Sequence, residues 1–75
     1  MQEFKEVKDM NLDKLKGKLV EKKKTYEDCS NILGITVTAF SNKMNSKSKF
    51  YIDEINKLSE FLDLSSIEKI DIFLN

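Results

Sequence analysis

Thr38, Ser41, Asn42 and Asn45 are the residues of this chain whose types and spacing suit recognition chemistry. They recur at i, i+3, i+4 and i+7, which places them on one face of a helix. Their hydroxyls and amides both donate and accept hydrogen bonds. Such groups bond base edges and phosphate oxygens. An asparagine amide such as that of Asn42 matches N6 and N7 of adenine, and the methyls of Thr38 and Val37 suit the thymine methyl. Lys43, Lys47 and Lys49 lie within or just after this stretch, and no acid stands between Ala39 and Ile52. Catalysis has no comparable set. The chain lacks His, so histidine-based acid–base chemistry is excluded. Its single Cys excludes an internal disulfide and, with no His, argues against a zinc site. No enzymatic activity, cofactor or metal is expected.

Two helices must position those groups. Thr25 is a good N-cap, with Asp28 as a short version of the capping-box acid. Glu27 and Asp28 also put negative charge at the positive end of the helix dipole. Cys29, Ile32 and Leu33 share one face of this helix. Gly34 follows, where a left-handed residue closes a helix without steric cost. Thr36 caps the next helix, predicted over Val37 to about Met44, with Val37, Phe40 and Met44 as its apolar stripe. A helix, a turn at Gly34 and a second helix is the layout of a DNA-binding helix-turn-helix. Val37 has a second reading, as partial core packing. Tyr26 has one as packing over its own helix. Cys29 reads as a small core hydrophobe.

The flanking sequence reads as scaffold. Residues 1–10 are mixed in charge and form an extension that packs Phe4 or Val7 against the body. Asn11 caps a first helix from Leu12 to about Lys23, with Leu12, Leu15, Leu19 and Val20 facing inward. Gly17 within it costs about 1 kcal/mol relative to Ala. Residues 46–49 form a polar loop from which Phe50 plugs the core. A fourth helix runs from about Ile52 to Leu62, poorly capped by Tyr51. Its inward face is Ile52, Ile55, Leu58, Phe61 and Leu62. Ser65 and Glu68 form a capping box that starts a short fifth element. The tail fits a helix through Ile67, Ile70 and Leu74, or a strand through Ile70, Ile72 and Leu74.

The pattern Thr25-x4-Ser30-x3-Gly34-Ile35-Thr36-x3-Phe40-Ser41-Asn42-Lys43-x-Asn45 resembles the lambda-repressor-like helix-turn-helix family of phage repressors, Cro proteins and XRE-type regulators. Ser30 matches the small residue where the two helices cross, Gly34 and Ile35 the turn, and Phe40 the buried position of the recognition helix. The resemblance runs from about Leu12 to Leu64. It implies a compact all-α domain of four to five helices, with 12–64 as its core and 65–75 as a short helix or strand. It implies a sequence-specific regulator binding double-stranded DNA, from a prophage or mobile element, working in the bacterial cytoplasm on the nucleoid. Val37, Thr38, Ser41 and Asn42 then occupy the base-reading positions. Thr25, Tyr26, Lys43, Asn45, Ser46, Lys47 and Lys49 occupy backbone-gripping ones. Relatives pair as homodimers on palindromic operators. Ile70, Ile72, Phe73 and Leu74 are the candidate dimer contact, the alternative being that they close the monomer's own core. The chain departs from the family pattern at Tyr26, Val37, Thr38 and Lys43. A module of the same fold that modulates a partner repressor, without reading DNA, is the other function considered.

The totals set the scale. Seventy-five residues make one domain with a small core. The net charge is zero, and all the basic residues are Lys. Lys16, Lys18, Lys22, Lys23 and Lys24 precede the two helices, and the acids gather at the ends and over 53–71. A basic surface around the motif and an acidic one away from it are expected. The absence of Arg removes the strongest guanine contact. No apolar run is long enough to cross a membrane, and the start lacks the apolar segment of a secretory signal.

Overall fold

The computed structural model describes residues 10–73, which form five α-helices and no strands. These are α1 (Leu12–Glu21), α2 (Tyr26–Leu33), α3 (Val37–Met44), α4 (Ile52–Phe61) and α5 (Ser66–Phe73). The tail up to Phe73 is therefore helical, and α1 stops two residues short of the predicted end at Lys23. The expected packing of Phe4 or Val7 lies outside the described residues, as does Leu74.

Side chains start most of the helices. Asn11 Oδ1 accepts from the Lys14 N–H at 3.0 Å. Thr25 and Asp28 form a reciprocal capping box, at 3.0 Å from the Asp28 N–H and 2.9 Å from the Thr25 N–H. Ser65 and Glu68 do the same at 3.1 and 2.9 Å. Thr36 Oγ1 accepts from the Ala39 N–H at 3.0 Å. At α4 the Tyr51 side chain makes no cap, but Glu54 Oε1 accepts from the Tyr51 N–H at 2.9 Å.

One motif ends α1, α2, α3 and α4. Beyond each helix an N–H reaches back five residues to a carbonyl of the last turn: Lys24 to Leu19, Ile35 to Ser30, Lys47 to Asn42 and Leu64 to Ser59, at 2.8–3.0 Å. The residue before it is left-handed each time: Lys23 (φ 59°), Gly34 (φ 72°), Ser46 (φ 65°) and Asp63 (φ 55°). This is the Schellman closure, built on glycine only once.

The core takes Leu15 and Leu19 from α1, Cys29 and Leu33 from α2, and Phe40 and Met44 from α3. Phe50 joins from the loop, with Ile55, Leu58 and Leu62 at α4 and Ile72 and Phe73 from α5. Four rings cross it edge to face: Tyr26–Phe40 at 5.2 Å, Phe40–Phe50 at 6.0 Å and Phe50–Phe73 at 6.3 Å between centroids. Helix α2 packs on both α3 and α4. Ser30, buried in α2, donates to Glu27 O at 2.9 Å and so keeps its hydroxyl satisfied.

Helix α5 lies along α1. Lys18 bonds Glu68 at 2.5 Å, Lys14 pairs with Asp71, and the Asn11 N–H donates to Ile72 O at 2.7 Å. Three inward assignments are corrected. Val20, Ile32 and Ile52 are exposed. Val20 is one step, about 100°, past Leu19 and clears the core. Ile32 is turned by the same angle from Leu33, leaving small Ser30 to face the neighbouring helix. Ile52 opens α4 before any other element covers it.

Candidate nucleic-acid interface

Helix α3 is pinned by one face. Phe40, Lys43 and Met44 are buried, which turns Thr38, Ser41, Asn42 and Asn45 to the opposite side. Val37 is 45% exposed and stands outside the fully buried core. Thr38 and Asn45 are exposed, and Ser41 and Asn42 half-buried. The side chains of Thr38 and Asn42 make no hydrogen bond among the described residues, whereas Asn45 Nδ2 donates to Ser41 Oγ at 3.4 Å. Eight residues make about 12 Å of helix, close to the width of a DNA major groove. The outer face therefore presents hydroxyls, amides and methyls, without a charge.

The loop after α3 supplies cations. Ser46, Lys47 and Lys49 are exposed, and neither lysine has an ion pair among the described residues. Left-handed Ser46 makes the bend. Asn42 O accepts from both the Lys47 and Ser48 N–H groups, at 2.8 and 3.3 Å, which ties the loop to α3.

Lys43 requires a correction. It is 7% exposed, so it does not reach outward to a phosphate. Its Nζ donates to Lys49 O at 2.7 Å, sits 3.0 Å from Glu54 Oε1, and lies 4.7 Å from the centre of the Tyr51 ring. Glu54 is buried as well. This ammonium is fastened inside the joint between α3, the loop and α4. Lys43 follows Phe40 at i+3, which sets it beside the apolar stripe, but the sequence does not reveal Glu54 as the partner. The one available signal is Glu54's position as the third residue of α4, the capping-box acid for Tyr51.

At the start of α2, Thr25 is exposed, but its hydroxyl and N–H are both engaged with Asp28. The Thr25 N–H, and then its hydroxyl, hold the Asp28 carboxyl below its usual range. With Glu27 beside it, this helix end carries negative charge. Tyr26 is half-buried, its ring edge-on to Phe40. The ring packs on Phe40 of α3, whereas the second reading places it over its own helix.

The proposed dimer contact divides. Ile72 and Phe73 are buried in the chain's own core, which removes them from the surface. Ile70 is exposed, together with Ile67 one turn before it. The expected basic surface divides too. Lys14, Lys18 and Lys43 are paired with Asp71, Glu68 and Glu54, and Lys24 lies over the Phe61 ring at 4.7 Å. No group of three metal-binding side chains occurs among the described residues, and no helix there is long and apolar enough to cross a membrane. No protein-family model matches the chain, and no curated protein matches its sequence.

Proposed function

We propose that this chain is a small sequence-specific regulator that binds double-stranded DNA with α3 in the major groove, in the manner of lambda-repressor-like domains. One observation carries the reading. The outer face of α3 holds Thr38, Ser41 and Asn42, with Thr38 and Asn42 unpartnered and Val37 exposed beside them at the first turn, while its inner face is locked into the core. A rigid helix with free donors and acceptors is what base reading requires. Lys47 and Lys49 stand at its end to meet phosphate. The Thr25 end of α2 contributes less, because its cap is filled and acidic. Two copies on half-sites one helical turn apart would form the regulator, with Ile67 and Ile70 at their contact.

The test is selection from a pool of random duplexes, followed by affinity measurements across a salt series. An enriched site is expected, with affinity falling as salt rises. A Thr38→Ala, Asn42→Ala variant should fold and lose roughly 1–3 kcal/mol of discrimination per lost base contact. Absence of binding at about 50 mM salt would refute the reading. Exposed Tyr51 and Ile52 favour a second one, a module that docks on a partner protein. That reading gains if DNA binding is absent and a Tyr51→Ser, Ile52→Ser variant loses a partner that the parent holds.

A further inference from the structure

Resting on that DNA-binding reading, we propose that the half-site read by α3 is built on A·T pairs, with adenine read by Asn42 and thymine methyls by Thr38 and Val37, and with no guanine contact from this helix. The inference comes from what the outer face holds and what it lacks. Guanine offers two acceptors in the major groove, O6 and N7, and its usual partner is a cation on the reading helix. The chain contains no Arg. The lysine within α3, Lys43, is buried with its ammonium on Glu54 and Lys49 O, so the cation placed to read guanine is withdrawn. Lys47 and Lys49 stand on the loop beyond α3, past the left-handed turn at Ser46.

What remains outward matches the other pair. The Asn42 amide carries a donor and an acceptor and has no hydrogen-bond partner among the described residues. Adenine presents the complementary acceptor and donor at N7 and N6. Val37 and Thr38 put methyl groups on the exposed first turn of α3, and thymine adds the C5 methyl they can contact. An A·T pair thus satisfies both kinds of group on this face. A G·C pair leaves the Asn42 Oδ1 acceptor facing the two acceptors of guanine, and it offers the methyls no thymine methyl.

The experiment uses the full chain and the duplex enriched from the random pool. Each A·T pair of the enriched core is altered one atom group at a time. 7-Deazaadenine removes the N7 acceptor, and uracil for thymine removes the methyl. Both should weaken binding. Exchanging the Asn42-contacted pair for G·C should cost about 5- to 150-fold, and Asn42→Ala should abolish that penalty. Asn42→Arg should shift the selected core toward guanine. An enriched core fixed in guanine and weakened by 7-deazaguanine would overturn this inference while leaving DNA binding in place. So would binding without enrichment, or A·T enrichment indifferent to both analogues, which would mark reading of groove shape. Absence of binding to any duplex would remove both this inference and the reading it rests on.

Discussion

Replacing Glu54 by alanine strands the Lys43 ammonium inside the joint between α3 and α4. Both side chains are nearly enclosed, at 8% and 10% exposure, and they meet at 3.0 Å. An exposed pair contributes at most about 1 kcal/mol. A buried one that loses a single partner costs roughly 3–5 kcal/mol, because a desolvated charge is left behind. Lys43 keeps one bond, to Lys49 O, and its place near the Tyr51 ring, which holds the cost toward 3. A domain of 75 residues has roughly 4–11 kcal/mol in all, so Glu54→Ala should remove a large part of its stability. Urea unfolding followed by far-UV circular dichroism reads this directly. With a slope of about 1 kcal/mol/M for so small a domain, the midpoint should fall by about 3 M. The double variant Lys43→Met, Glu54→Leu removes both charges and keeps the volume, so it should recover most of the loss. A single variant costing less than about 1 kcal/mol, or a double variant no better than the single, would refute the argument.

Other expectations concern backbone, pH and reactivity. Gly17 is exposed in mid-α1 with no atom within 4 Å of an added Cβ, so Gly17→Ala should stabilise by about 1 kcal/mol. Lys23→Gly, at a left-handed residue, should also stabilise, by about 1 kcal/mol; urea midpoints check both. Lys18 first, and then the Ser65 N–H, hold the Glu68 carboxyl down from 4.5 to about 2. Its folded value lies below its unfolded one, so its contribution is full above 4.5 and is lost as pH falls through about 2. Glu68→Gln should flatten that part of the Tm-against-pH curve. Burial, and then Asp28, push the Cys29 thiol up to about 11. Thiol labelling near pH 8 should therefore be slow and should track unfolding, so labelling at the rate of a free thiol would contradict its burial.

The helices were legible because their starts are written locally. Asn11, Thr25, Thr36 and Ser65 each cap through their own side chain, and each is a residue type that announces the role. The left-handed residue that closes a helix was legible only at Gly34. Lys23, Ser46 and Asp63 adopt the same left-handed closure without glycine, so nothing in their type marks it. Inward faces were over-assigned at Val20, Ile32 and Ile52 because a short chain covers only a narrow strip of each helix. The outer face of α3 followed from its periodicity. The fate of Lys43 did not, because its partner Glu54 comes from the next helix and only the packing brings the two together. The tail was ambiguous for a related reason: Ile72 and Phe73 are inside because α1 leaves a side of the core for α5 to close.

The bond from the Asn11 N–H to Ile72 O joins points roughly 60 residues apart and ties completion of the fold to the order of synthesis. A ribosome adding about 5–20 residues per second delivers α5 roughly 3–12 s after α1. Throughout that interval Lys14 and Lys18 lack Asp71 and Glu68, and the core lacks Ile72 and Phe73. The mutually packed α2, α3 and α4 are in hand earlier. The helix made first is therefore among the last to be secured, and α1 and α5 close over the nascent domain together.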